Sequence, residues 1–340
     1  VTVARGSVRR RRGRLQISRQ LRRGEFVYLQ RGEQITDPEE LERIKALVIP
    51  PAWHDVQISA SPSAKVLARG VDDAGRRQAI YHPSFRRRRE EEKFAKLSEF
   101  GQALPALRKQ VAADMERRGT SREKVVACVI KVLDKGYLRI GTPKYARQYR
   151  SYGATTLRRR HTHIKGTSVT FDFNGKSGQH QTVTIEDAQM ARFVKKLREM
   201  PGYEVFRFTD DEGQLCSVRS EHVNEYLHTN MGSQFTAKDF RTWGGTLTAF
   251  ASLLDAEVDG ASPQRELTRA EREAVKQAAS VLGNTQSTAR KAYIAPRVLK
   301  LAGDPEKLED LRGERKRRRA RKYLSVDEQC LLQLLEEDSA

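Results

Sequence analysis

Tyr293 is the residue whose setting best suits covalent chemistry. It stands in LGNTQSTARKAYIAPR, residues 282–297, a helix-forming stretch where Arg290 and Lys291 precede the tyrosine and Pro296 ends or kinks the helix. Taken alone, such a tyrosine is a half-buried core residue with its neighbouring cations turned to solvent. Residues elsewhere in the chain suggest more. Arg139 lies between apolar neighbours in YLRIG, just after Gly136 stops a helix, so it is expected to be partly buried and held in place. Lys176 occupies the hairpin turn Gly175-Lys176-Ser177-Gly178, where a plain solvated lysine is the alternative. Arg241 sits in a long helix three residues after Lys238, where a surface salt bridge through Asp239 is the alternative. Asn284 stands nine residues before the tyrosine (293 − 284), and a cap on the next helix is its simpler reading.

Gathered at one phosphate, Arg139, Lys176, Arg241, Asn284 and Tyr293 would have distinct uses. A tyrosine hydroxyl can attack phosphorus and hold a strand as a phosphotyrosine. Its ordinary pKa of about 10 keeps it protonated, so cations must favour its ionisation in the transition state. Two arginines can grip the nonbridging oxygens with planar forks. The departing deoxyribose alkoxide is a poor leaving group and calls for a general acid such as a lysine. The sequence has no acidic cluster for magnesium, so side-chain cations would supply the charge stabilisation.

The elements that must position these groups belong to a basic chain. Of its 340 residues, 64 are Lys or Arg and 44 are Asp or Glu, a net charge of +20 that implies a nucleic acid partner. No apolar run approaches the ~20 residues that span a bilayer, and the Arg-rich start lacks the apolar stretch of a secretory signal. A membrane is therefore not expected as a partner. Three scattered cysteines, Cys128, Cys216 and Cys330, point to a reducing cytosol and away from disulfides or a zinc site. There is no GxxxxGK[ST] phosphate loop, so neither a nucleotide nor any other cofactor is expected. The expected location is the cytoplasm, in association with the nucleoid.

Residues 1–23 contain nine arginines and no acid, and read as a flexible arm. Residues 24–83 read as a small β-rich domain. It comprises the strand GEFVYLQ, a helix opened by Asp37-Pro38-Glu39-Glu40 and running through LERIKALV, then the strands DVQISAS, AKVLARG and RRQAIYHP. The last strand carries Gln78 and Tyr81, suited to touching a duplex or, alternatively, to an ordinary amphipathic edge. Residues 84–340 read as mainly helical. Two charged helices part near Gly101, and a capping box at Thr120–Glu123 opens a core helix. Strands follow at LRRRHTHIK, SVTFDFNGK and GQHQTVTI. Further helices carry Arg241 and Tyr293, then come a basic run at 314–322 and a short C-terminal helix. His161 and His163 lie on one strand face with no third ligand at suggestive spacing, so they read as nucleic-acid or structural histidines and no metal site is expected.

In their order and approximate spacing, these pieces resemble the type IB DNA topoisomerases of the small poxvirus-like and bacterial branch, from about Gly24 to Leu301. The pieces are LRIG around Arg139 with KY at Lys144–Tyr145, TLRRRH at Thr156–His161, FNGKSG around Lys176, KDFRTWG around Arg241, and LGNT with SxxRKAYIAP from Leu282 to Pro296. The resemblance implies an α+β protein. Its small β-rich N-terminal domain and larger, mainly helical catalytic domain with a small sheet would close as a C-shaped clamp on double-stranded DNA. It also implies a monomer that nicks one strand through a 3′-phosphotyrosine, lets the 5′ end swivel and reseals, without ATP or metal. Tyr293 would be the nucleophile, Arg139 and Arg241 the transition-state clamps, and Lys176 the general acid to the 5′ oxygen. Lys238 matches a lysine near the site, Tyr145 a backbone contact, and Gln78 and Tyr81 the DNA-facing strand.

One position departs from the poxvirus pattern. Asn284 stands where that branch has a histidine, and an asparagine can donate to a phosphate oxygen without carrying charge. This is read as the bacterial version of the site, active but differently tuned. Ala79 also replaces an expected aromatic, so the poxvirus target preference is not carried over. A tyrosine site-specific recombinase is the nearest rival. It would show a histidine where this chain has Asp239, and a C-terminal tail that swaps between protomers. A non-enzymatic basic DNA-binding protein would explain the charge but not the ordered motifs.

Overall fold

A computed structural model of the chain describes residues 15–256 and 263–337. The protein divides into two compact units, Val1–Lys93 and Phe94–Ala340.

The first unit is built on a six-stranded antiparallel sheet in the order β3-β2-β1-β4-β5-β6. Its elements are β1 (Leu15–Arg22), β2 (Glu25–Gln30), β3 (Glu33–Gln34), α1 (Pro38–Lys45), β4 (His54–Ser59), β5 (Val66–Val71) and β6 (Arg77–Tyr81). Ile17, Ile44, Val56, Ile58 and Ala68 form its core. Asp37 caps α1 by accepting from the Glu39 N–H at 3.2 Å, as the sequence suggests. The helix stops at Lys45 instead of running through Val48, which takes a left-handed φ of 48°.

The expected arm at 1–23 is partly corrected. Residues 1–14 lie outside the described residues, but Leu15–Arg22 form a full strand between β2 and β4. Ile17 enters the core, and Arg19, two residues on and therefore on the same face, reaches across its edge. The Arg19 guanidinium donates to the carbonyls of Pro50 at 3.0 Å and Trp53 at 2.7 Å, in the proline-rich segment after α1.

Helix α2 (Pro83–Glu116), which begins in the first unit and ends in the second, is one continuous helix, not two parted near Gly101. By compactness the two units part within this helix. Gly101 is a contact glycine and not a terminator. A Cβ there would collide with the Trp243 ring and the Leu332 side chain. Ser121, not Thr120, caps α3 (Arg122–Gly136), which is buried along most of its length. After α4 (Pro143–Gln148), residues 159–161 form a 3-10 turn, so the expected strand LRRRHTHIK shortens to β7 (Thr162–Lys165). It pairs with β8 (Ser168–Asn174), which pairs with β9 (His180–Glu186), to make a small antiparallel sheet.

Next come α5 (Ala188–Glu199), the short pair β10 (Arg207–Thr209) and β11 (Leu215–Ser217), and α6 (Ser220–Met231). Helix α7 (Asp239–Asp255) is nearly encased, with Phe240, Arg241, Trp243 and Phe250 all buried. Around it lie α8 (Pro263–Leu282), α9 (Gln286–Tyr293), α10 (Pro296–Lys300), α11 (Pro305–Arg317) and α12 (Val326–Glu336). The basic run is tied down here. Arg315 pairs with Asp327 at 2.6 Å, and Arg318 pairs with Glu314 at 2.7 Å. Helix α12 packs on its own chain, with Glu328 accepting from the Trp243 indole N–H at 3.2 Å. Among the described residues no helix is long and apolar enough to cross a membrane.

Candidate active site

Two helix ends and one arginine organise the site. Helix α3 ends because Tyr137 adopts a left-handed φ of 51°, its N–H bonding back to the Leu133 carbonyl at 3.0 Å. Helix α8 ends with Gly283 at φ 56°, where the Gly283 N–H bonds Ser280 at 3.0 Å and the Asn284 N–H bonds Ala279 at 2.9 Å. That is the two-bond Schellman closure, and it leaves the later carbonyls of the helix without partners. Arg241 serves one carbonyl at each helix end. Its Nη1 donates to the Tyr137 carbonyl at 2.5 Å and its Nη2 to the Leu282 carbonyl at 2.8 Å. Both carbonyls sit at helix C-termini, where the dipole favours a cation. This is not the surface salt bridge offered as the simpler alternative. Asp239 instead accepts from the Thr236 N–H at 2.7 Å, and Arg241 is only 3% exposed.

The same closures aim Arg139 and Asn284. Arg139 is the second residue after the turn at Tyr137, and Asn284 is the residue after Gly283. They meet directly, Arg139 Nη2 donating to Asn284 Oδ1. The cap of α9 is Thr285, whose hydroxyl accepts from the Thr288 N–H at 3.3 Å, so Asn284 is not the capping residue.

Tyr293 ends α9 and lies under the Arg241 guanidinium, whose carbon is 5.0 Å from the ring centroid. Helix α7 positions it through Gly245 and Thr246. A Cβ on Gly245 would lie 2.8 Å from the Tyr293 carbonyl oxygen, and one on Gly244 would collide with the Tyr137 ring. The Thr246 hydroxyl donates to the Tyr293 carbonyl at 3.1 Å and accepts from the Ala295 N–H at 3.1 Å. The helix break before Pro296 is thereby satisfied by one side chain.

The charges act on one another. Burial pushes the Tyr293 hydroxyl up, but Arg241, Arg139 and Lys238 outweigh it and hold the pKa below its ordinary value. Burial, with Arg139 nearby, lowers Arg241 to about 10. Burial also lowers Arg139. Three N–H groups of the cluster are buried without a partner among the described residues: Arg139 Nη1, Arg241 Nε and Asn284 Nδ2. Buried donors are costly to leave unmade, and three in one cluster are groups that an anion's oxygens would satisfy.

Lys176 stands on an exposed turn between β8 and β9, closed by a Gly175 N–H to Gln179 carbonyl bond of 2.8 Å. The turn is linked to the cluster by Gln181, a buried residue that sequence reading missed. A Cβ on Gly175 would lie 3.0 Å from the Gln181 amide nitrogen, and one on Gly283 would collide with it. The amide is wedged between the root of the lysine turn and the turn that aims Asn284. Alternation along β9 placed Gln181 inward, the only signal the sequence carried.

The remaining expected contacts have varied settings. Lys238 is exposed at the start of α7. Tyr145 on α4 is 45% exposed and lies 5.6 Å from the Tyr149 ring. His161 is 7% exposed, packed 4.3 Å from the Tyr152 ring, and held by burial and then Arg160 at a pKa of about 4. Of the two readings of that histidine, burial favours the structural one. In the first unit Tyr81 is 38% exposed, and the Gln78 amide donates to Asp72 at 2.8 Å. Among the described residues no three His, Cys, Asp or Glu side chains group as metal ligands.

Comparison with known proteins bears on this arrangement. The family described as "Eukaryotic DNA topoisomerase I, catalytic core" matches residues 82–319, and "Bacterial DNA topoisomerase IB, N-terminal domain" matches residues 25–72. The "DNA topoisomerase 1B" of Acanthamoeba polyphaga mimivirus is 32% identical over 282 residues, covering 81% of this chain and 83% of the viral protein. The "DNA topoisomerase 1B" of Vaccinia virus (strain Copenhagen) and the "DNA topoisomerase I" of Monkeypox virus are each 24% identical over 276 residues, covering 78% of this chain and 82% of theirs.

Proposed function

This chain belongs to the type IB DNA topoisomerases and is an isomerase of DNA, and we propose that Tyr293 is its nucleophile within a slot formed by Arg139, Arg241 and Asn284. The observation that carries this reading is the set of three unpartnered N–H groups beside the phenol. In the proposed reaction two cations and an amide receive the nonbridging oxygens of one phosphodiester. The Tyr293 oxygen attacks phosphorus as its proton passes to solvent, and the bond to the 5′ oxygen breaks. Lys176 gives that oxygen a proton, so the leaving group departs as a hydroxyl. The strand's 3′ phosphate is now esterified to Tyr293, and the 5′ end can rotate about the intact strand. Resealing runs the same steps backwards, with Lys176 taking the proton from the 5′ hydroxyl. One phosphoester is exchanged for another, so the chemistry needs no ATP, and the arginines supply the charge that a metal would otherwise bring.

Under this reading the protein acts as a monomer that closes on duplex DNA, with Tyr145, Lys238, Gln78 and Tyr81 touching the duplex. The decisive experiment incubates substoichiometric protein with supercoiled plasmid in EDTA without nucleotide. The expected result is a ladder of relaxed topoisomers from plasmids of either supercoil sign. Denaturant should trap an adduct on the 3′ end of the nicked strand that maps to Tyr293, and Tyr293→Phe should abolish it while duplex binding stays within a few-fold. An absolute need for magnesium or ATP, or an adduct on Tyr145 or Tyr137, would overturn the proposal.

A further inference from the structure

A second group of arginines, with Arg207 buried and Arg159 half-buried, stands apart from the cluster at Tyr293. Arg207 opens β10 and is only 4% exposed. It donates from Nη2 to the Met200 carbonyl at 2.7 Å, and Arg159 donates to the same carbonyl. One neutral acceptor thus serves two guanidinium groups. Arg207 Nε, Arg207 Nη1 and Arg159 Nε are buried without a partner among the described residues. Burial and the nearby Arg159 charge both disfavour the Arg207 cation, and Glu204 only partly offsets them, so a further anion would relieve the arrangement.

Arg207 lines an open cleft of about 620 Å³, within the size range of small-molecule sites. Arg147 and Arg158 line it too, and its carboxylate, Glu204, is already engaged by Arg219 Nη1 at 3.0 Å. The cleft therefore keeps an uncompensated positive wall. The turn Pro201-Gly202-Tyr203 forms its lip. Gly202, at φ 100°, passes so close over Arg207 that a Cβ would collide with Nη1. Tyr203 beside it is 82% exposed, an aromatic face at the mouth of a cationic cleft. The opposite wall is α4, through Pro143, Ala146 and Arg147. Neither Tyr293 nor any of its proposed partners lines the cleft.

We propose that this cleft binds a compact phosphate-bearing small molecule, its phosphate received by Arg207, Arg158 and Arg147. The bound anion neutralises Arg207, which relieves its repulsion with Arg159, and braces α4, the helix that carries Tyr145. Guanidinium forks match phosphate oxygens in planar pairs, which favours phosphate over a simple halide.

The test is calorimetric titration of inorganic pyrophosphate into the full chain at constant ionic strength. The expected result is one pyrophosphate per chain, unaffected by Arg139→Ala, which disables the anion slot at Tyr293. Binding should weaken by about 10–100-fold in Arg158→Gln and in Arg207→Gln, the loss expected for one charged hydrogen-bonding partner. If Arg207→Gln fails to fold by circular dichroism, Arg158→Gln, on a half-buried side chain, decides alone. A parallel titration with a nucleoside diphosphate separates two sources of the same chemistry. Tighter binding that Tyr203→Ala removes identifies a nucleotide stacked at the lip, and equal binding identifies the bare diphosphate. No heat at millimolar pyrophosphate would overturn the proposal, as would binding lost only in Arg139→Ala. Stoichiometric displacement by a short duplex would assign these arginines to the DNA interface and overturn it equally.

Discussion

Arg241 holds the carbonyl of Tyr137 at 2.5 Å, across 104 residues of sequence. Tyr137 is the left-handed residue that ends α3 and points the chain toward Arg139, so one bond sets the spacing of the two arginines proposed to clamp the phosphate. The other arm of the same guanidinium holds Leu282, two residues before Asn284. Arg241 is a fixed strut between two helix ends, and in the proposed reaction its Nε is also a donor to substrate.

Arg241→Lys separates these roles poorly, and that makes it informative. A lysine has one charged nitrogen and cannot span two carbonyls while also facing the slot. Single-turnover cleavage should fall by about 10²–10³, the usual loss for a preorganised donor. Arg139 should also become more mobile, visible as faster amide exchange at residues 137–141. Unchanged exchange there would mean the strut is dispensable.

Lys176→Ala should slow cleavage of ordinary DNA by roughly 10²–10⁴. Replacing the 5′ bridging oxygen with sulfur, a far better leaving group, should remove most of that defect. A full defect on the sulfur substrate would make Lys176 a binding residue. Gln181→Ala, which empties the wedge between the lysine turn and Gly283, should give a smaller defect that sulfur also relieves in part.

In the proposed reaction Asn284 is a neutral donor to a charged oxygen, so Asn284→Ala should cost about 10–100-fold in the chemical step. Asn284→His should retain activity and add a pH dependence near ~6.5, the ordinary histidine value. In the wild type the cations hold Tyr293 below its ordinary value. Its cleavage rate should therefore rise with pH and level off before a free tyrosine would. An Asn284→Ala variant as fast as wild type would remove Asn284 from the slot.

Glu328 supports a stability prediction. It is buried, accepts from Arg108 at 2.7 and 2.9 Å, and joins α12 to α2 and, through Trp243, to α7. Asp134 on α3 completes the arrangement at 2.7 Å from Arg108. Burial pushes the Glu328 carboxyl up, but Arg108 holds it below the ordinary value. Its stabilising contribution is therefore fully present above the unfolded value of about 4.3 and is lost as pH falls through the lower folded value. Arg108→Ala should destabilise by about 3–5 kcal/mol, since it strands buried carboxylates. Glu328→Gln should flatten the acid limb of a melting-temperature profile, and an unaltered limb would count against this assignment.

Local chemistry made much of this protein legible in its sequence. Asp37 and Pro38 start α1, alternation marks β8 and β9, and Gly283 ends α8, because caps, period and left-handed turns act within a few residues. The same locality picked out Tyr293, Arg139, Arg241 and Asn284 as chemically apt, and the net charge of +20 named the kind of partner. Where local signals misled, a distant contact had taken precedence. Gly101 reads as a helix end, yet it lies mid-helix because the Trp243 ring needs the space. The basic segment at Leu15–Arg22 reads as an arm, yet it is a strand because Arg19 finds carbonyls 31 and 34 residues away. Likewise the convergence of Arg139 with Asn284, the wedge at Gln181 and the Arg108–Glu328 link join segments far apart in the chain. Which polar groups end up paired, and which donors of the cluster are left without partners, depends on how those segments pack. Only the tertiary structure decides that, because a hydrogen bond is satisfied in space and leaves no mark on the spacing of residues along the chain.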